Sequence, residues 1–218
     1  MAIHIPILII ISPLLAAFFV LLTRKYKIIL ATTSIIISIL FISTLSSRIL
    51  SGDKVTYHLG GWRGPLGISL VVDELSLFFS LIVLGLGLLV IIYSIPERRY
   101  GRTYYFLLLI SLSSMIGISY TADIFNMYVF YELLSLAVYL LIAYNKKGMA
   151  LRASFNYLIM GGVGLSFFLL GIGFLYAITG TLDIYHIAER LPVAFDSSTR
   201  MVIMSFVLIA TGMGIKIA

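Results

Sequence analysis

Apolar residues along this chain come in runs about as long as one bilayer crossing, broken by short polar stretches. Seven runs stand out, near 3–22, 28–47, 73–95, 103–120, 122–144, 150–178 and 200–218. A hydrocarbon core of about 30 Å takes roughly 20 helical residues to cross, so each run predicts one membrane-spanning helix. The runs are too long for barrel strands and lack their alternation. The pattern predicts an all-α fold, a polytopic transmembrane helix bundle forming a single domain over residues 1–218. The stretch 48–72 reads differently. In "YHLGGWRGPLGISLVVD" the turn formers Gly60, Gly61, Gly64, Pro65 and Gly67 stand between short β-favouring runs, which predicts an outer loop folded as a β-hairpin. Trp62 suits the aromatic belt of a membrane interface. The opening "MAIHIPILIIISPLLAAFFVLL" has no basic leader or small-residue cleavage site, and is expected to be a retained first span. No low-complexity segment or clear internal repeat is expected.

Composition agrees. Hydrophobic residues make up 61% and charged residues 11%, with a mean hydropathy of +1.12. A soluble domain carries about 25% charged residues, so this chain is integral to a membrane. The net charge of +6 could suggest nucleic acid, but the basic residues form short clusters between apolar runs. Arg24, Lys25 and Lys27 make one; Arg98, Arg99 and Arg102 the next; Lys146, Lys147 and Arg152 the third. The alternate loops hold Arg48, Lys54, Arg63, Arg190 and Arg200 together with Asp53, Asp183, Glu189 and Asp196. By the positive-inside rule the clustered loops are cytoplasmic, the N-terminus lies outside the cell membrane, and no nucleic-acid partner is implied. The absence of cysteine excludes disulfides, iron–sulfur ligation and thiolate metal sites within this chain. His4, His58 and His186 stand apart, without the spacing of a ligand set.

Few ionisable residues fall inside the apolar runs. Asp73, Glu74 and Asp123 open helices, where negative charge complements the helix dipole. Two residues remain. Glu132 lies in "YVFYELLSLAVYLL", about 15 Å into the fifth run, near mid-membrane. Lys216 ends "VLIATGMGIKIA", about 24 Å into the seventh run, with Gly212 and Gly214 just before it. A protonated carboxyl bonded to a neighbouring helix and a snorkelling end-anchor are the plain structural readings. An acid and a base together inside the membrane point further, because the protonation states of such a pair switch when their separation changes. Gly161, Gly162, Gly164, Gly171 and Gly173 of the sixth run suit close helix packing, and Asn156 suits an interhelical hydrogen bond. Nothing in the chain carries catalytic chemistry of its own.

Three stretches, "LGGWRGPLGISLVVDELSLFF", "DIFNMYVFYELLSLAVYLLIAY" and "GMGIKIA", resemble the antiporter-like membrane subunits shared by Mrp-type cation/proton antiporters, respiratory complex I and membrane-bound hydrogenases. The wording of these stretches is nearer to the Mrp and hydrogenase branches. The resemblance covers the whole chain but only the first part of a typical member, an incomplete first half of that fold. It implies a proton- or cation-translocating subunit of a multi-subunit complex, with Glu132 and Lys216 as the ion pair for proton relay and gating. Family members often carry a lysine on helix 6 where this chain has Asn156, which could hold a water in a polar pathway but cannot itself release a proton near neutral pH. The chain ends at Ala218, inside the seventh helix, so other membrane subunits, or further residues, are expected to complete that helix and the bundle. The resemblance implies no cofactor in this chain; iron–sulfur or nickel–iron centres would belong to partner subunits in a peripheral redox arm. The alternative implication is a non-pumping structural subunit of a respiratory or hydrogenase-type oxidoreductase.

Overall fold

The computed structural model describes residues 4–23, 25–97 and 100–217. Arg24, Arg98 and Arg99 of the basic clusters, and Ala218, lie outside the described residues. The fold is an all-α bundle of α1 (Ile5–Leu22), α2 (Lys27–Ile49), α3 (Glu74–Ser94), α4 (Arg102–Tyr120), α5 (Ile124–Ile142), α6 (Gly148–Thr179) and α7 (Ile184–Ile217). All seven are long and apolar enough to cross a membrane. Strands β1 (Val55–His58) and β2 (Ser69–Val72) pair antiparallel, Val55 opposite Val72 and His58 opposite Ser69. This is the hairpin within 48–72; His58 Nδ1 hydrogen-bonds Ser69 Oγ at 2.9 Å across it.

The seventh helix departs from expectation. Residues 184–197, read from their charges as outer loop, are helical, and a break at Ser198 (φ −149°) separates them from the apolar run expected at 200–218. Glu189, Arg190, Pro192 and Asp196 hid this helix, although its apolar positions Ile187 and Ala194 are buried. His186, expected in that loop, lies on the helix and meets Asp183 Oδ1 through Nδ1 at 2.9 Å.

Helices α1 to α4 share one apolar core. Its centre is α4, whose membrane window is 61% buried against 17% for those of α5 and α7. The second core is smaller, built on Leu165, Phe168 and Ile172 of α6 with Met127, Tyr131, Ile209 and Met213 around them. Helices in lipid gain little hydrophobic drive toward one another and associate by close packing. Gly164 and Gly212 supply that closeness between α6 and α7. A Cβ on Gly212 would stand 2.5 Å from Gly164 O and 2.6 Å from Phe168 N.

Hydrogen bonds tie the bundle at both ends. At the basic end Lys27 Nζ donates to Tyr100 O, Arg102 Nη1 to Leu21 O at 2.8 Å, and the Gly101 amide to Tyr144 Oη at 2.7 Å. At the opposite end two extended links join the hairpin. Ala122 N donates to Ser69 O (2.9 Å), Ile124 N to Leu182 O (2.9 Å) and Ile184 N to Ala122 O (2.8 Å). Each link carries the same device, Thr-x-Asp-Ile, at 121–124 and 181–184. The threonine hydroxyl accepts from the aspartate amide, and the aspartate caps the next helix: Asp123 Oδ1 accepts from Asn126 N at 2.7 Å and Asp183 Oδ1 from His186 N at 3.1 Å. This is a short internal repeat, where none was expected. Both aspartates are buried, and burial pushes the Asp123 carboxyl above its usual range against the hydrogen bonds that favour its charge. Gly180 closes α6 in the left-handed region (φ 67°), where Arg190 Nη1 donates to Thr179 O at 2.7 Å.

A capping box opens α3: Asp73 Oδ1 accepts from Ser76 N at 2.9 Å, and Ser76 Oγ accepts from Asp73 N at 2.8 Å. The backbone bond from Ser76 holds the Asp73 carboxyl below its ordinary 3.8, outweighing its partial burial. A depressed carboxylate contributes stability above its unfolded pKa and loses it as pH falls through the folded one. The stability gap between wild type and Asp73→Asn should therefore be full at neutral pH and vanish in an acid titration below 3.8. Packing gives a second expectation. Gly212→Val should lower the thermal stability of the purified assembly by about 1–3 kcal/mol or more, since backbone lies opposite and cannot yield. Gly162→Ala, with nothing within 4 Å of the new Cβ, should leave it unchanged.

Candidate functional site

The seventh helix brings Lys216 against α5 and α6. With the break at Ser198, the lysine lies about 25 Å along the final helical segment. On α5, Glu132, Ser135 and Tyr139 follow at i, i+3 and i+7 and so share one face. Lys216 Nζ donates to Ser135 Oγ and, at 3.3 Å, to Tyr139 Oη. It lies 5.3 Å from the ring centroids of both Tyr139 and Tyr157, and those two rings meet edge to face at 5.1 Å. Ser135 and Tyr139 are buried; Glu132 and Lys216 are half-buried.

The structure brings Glu132 and Lys216 to one site without closing them into an ion pair: no N–O approach within 4.0 Å joins them among the described residues. Glu132 is still near enough to Lys216, Tyr128 and Tyr139 to interact with them electrostatically. Beside the lysine, Tyr131, Leu165, Phe168, Gly212 and Met213 line a cleft of about 50 Å³. Lys216 is the charged group on its otherwise largely apolar wall. The site thus gathers an acid, a base and two hydroxyls from α5 and α7 beside a small cleft.

Asn156, expected near this pathway, faces outward from α6 and is exposed. The polar groups around Lys216 are instead Ser135, Tyr139 and Tyr157, none of which stood out in the sequence. For Ser135 and Tyr139 a signal was available on α5 as the spacing from Glu132, but aromatic residues at helical spacing ordinarily mean core; Tyr157, on α6, had none. Among the described residues no group of three or more His, Asp or Glu side chains is placed to hold a metal ion.

Two family models match the chain. One, described as NADH:quinone oxidoreductase/Mrp antiporter, TM, covers residues 121–218; the other, NADH-Ubiquinone oxidoreductase (complex I), chain 5 N-terminus, covers 64–96. An NADH-quinone oxidoreductase subunit of Desulforudis audaxviator is 35% identical over 100% of this chain and 45% of its own length. A Na(+)/H(+) antiporter subunit of Bacillus subtilis is 33% identical over 95% of this chain and 43% of its own. Identity therefore does not separate the Mrp branch from the quinone-linked one.

A chain of the archaeal membrane-bound sulfane sulfur reductase superposes with TM-score 0.89 at 31% identity, covering 97% of this chain and 44% of that one. A chain of the Mrp complex from Dietzia sp. gives TM-score 0.82 at 19% identity, over 98% and 40%; at that identity the likeness is one of fold. The chain thus spans under half the length of the relatives it matches. It belongs to the antiporter-like membrane subunits, multi-pass proteins whose relatives are built into multi-subunit membrane complexes.

Proposed function

We propose that this chain takes part in proton or cation translocation by a multi-subunit complex, with Glu132 and Lys216 as relay and gating partners. The observation that carries the reading is the Lys216 ammonium lodged between α5 and α6, bonded to Ser135 one turn from the Glu132 carboxyl. A cation and an acid deep in apolar spans are expensive to keep unless they act. When the ammonium approaches Glu132 the carboxylate is stabilised; when it withdraws the carboxyl takes up a proton more readily. Water in the adjoining cleft would complete the path, and Asn156, outward on α6, would meet a neighbouring membrane chain.

Other membrane subunits would complete the translocation path. The basic ends at Lys25, Arg102 and Lys146 would face the cytoplasm, with the N-terminus outside. Any iron–sulfur or nickel–iron centre would sit in a peripheral partner. A second reading, a structural membrane subunit of a redox complex, draws support from the 31% identity to the sulfane sulfur reductase chain.

Cation/proton exchange by the assembled complex in inverted membrane vesicles separates the two. Glu132→Gln and Lys216→Met should each reduce exchange by about a hundredfold, the lower end of what a positioned proton-transfer group contributes, with the subunit complement unchanged. Undiminished exchange in Glu132→Gln would leave the chain a structural role only.

A further inference from the structure

The Lys216 ammonium rests in a cradle built by two other helices. Ser135 and Tyr139 of α5 supply hydroxyls, and Tyr139 with Tyr157 of α6 supply two aromatic faces set nearly at right angles, 83°. Gly161, one turn beyond Tyr157, makes the room. A Cβ there would collide with the Tyr139 hydroxyl and stand 3.2 Å from the ammonium.

Such a set matches what a desolvated ammonium needs: it has three donors and no acceptor, and aromatic faces attract it most strongly away from water. The backbone of α5 helps to fix the cradle, since Ser154 Oγ of α6 donates to Tyr139 O at 2.7 Å. Glu132 stands on the same face one turn before Ser135 and makes no hydrogen bond or ion pair among the described residues. The lysine's flexible four-carbon stem can carry the charge from one to the other.

We infer that Ser135, Tyr139 and Tyr157, with space provided by Gly161, form a docking site that holds the Lys216 ammonium off Glu132, so that cradle and carboxylate compete for one cation. The inference rests on the relay reading above and deepens it: the competition sets how often Glu132 is free to exchange a proton. Ser135, Tyr139 and Tyr157 are positioning residues, acting through Lys216.

Carbodiimide labelling tests this in the assembled complex. Dicyclohexylcarbodiimide adds to a protonated membrane carboxyl and spares one held by a cation; peptide mass spectrometry then reads the labelled fraction of Glu132 over time. Ser135→Ala and Tyr157→Leu should slow labelling by about threefold to tenfold, the range expected for losing one such contact. Ser135→Thr and Tyr157→Phe, which keep the hydroxyl and the ring, should label as wild type. In a Lys216→Met background, Ser135→Ala should have no effect.

Wild-type labelling rates in both Ser135→Ala and Tyr157→Leu would overturn the docking site. So would a slowing that persists without Lys216, because it would then be a packing effect. If Tyr157→Leu fails to assemble, Ser135→Ala, which deletes a single oxygen, decides alone. The relay reading fails separately, through ion exchange in Glu132→Gln, and its failure would leave the labelling result standing.

Discussion

Each polar atom carried into this bundle has to find its partner inside it, since hydrocarbon offers none. Among the described residues no buried side-chain nitrogen or oxygen is left without a hydrogen bond. The serines show how. Ser34, Ser80, Ser94, Ser111 and Ser205 return their hydroxyls to carbonyls three or four residues back. Others cross between helices: Ser113 reaches Ile10 O at 2.8 Å, and Tyr120 Oη donates to Ser80 Oγ at 2.9 Å. The paired Thr-x-Asp links apply the same rule to backbone where the chain turns between α4 and α5 and between α6 and α7. Lys216 is the hardest case, and its cradle is the answer the bundle gives.

Small residues decide where that cradle can form. Gly164 and Gly212 let α6 and α7 touch backbone to backbone, which sets the depth and rotation of Lys216, and Gly161 admits the Tyr139 hydroxyl beneath it. The site therefore depends on packing at several glycines, each with a different neighbour. Around it the bundle is open: α5 and α7 are the least covered helices, and they carry Glu132 and Lys216. Coverage by neighbouring chains in an assembly would dehydrate this face and strengthen every electrostatic contact on it.

Much of this was legible in the sequence. Span length and the Gly–Pro turn residues announced the first six helices and the hairpin, because both signals are local. Glu132 and Lys216 announced themselves as charges in apolar runs. The helix at 184–197 did not, because its charges and Pro192 imitate a loop. The Thr-x-Asp-Ile repeat was too short to register, though it joins two segments sixty positions apart. Tyr139 and Tyr157 do not stand out in the sequence, and only the folded arrangement shows both facing one ammonium. Asn156 was singled out because it stands where family members often carry a lysine; on α6 it is exposed.

The central claim is that one ammonium serves two alternative partners. Electron cryo-microscopy of the assembled complex at two pH values, spanning the range in which it exchanges ions, tests that claim directly through the position of Lys216 Nζ. Two positions are predicted, one within hydrogen-bond reach of Ser135 Oγ with Glu132 free, the other on the Glu132 carboxylate. A single position at both pH values, with Glu132 held by some other cation, would contradict it.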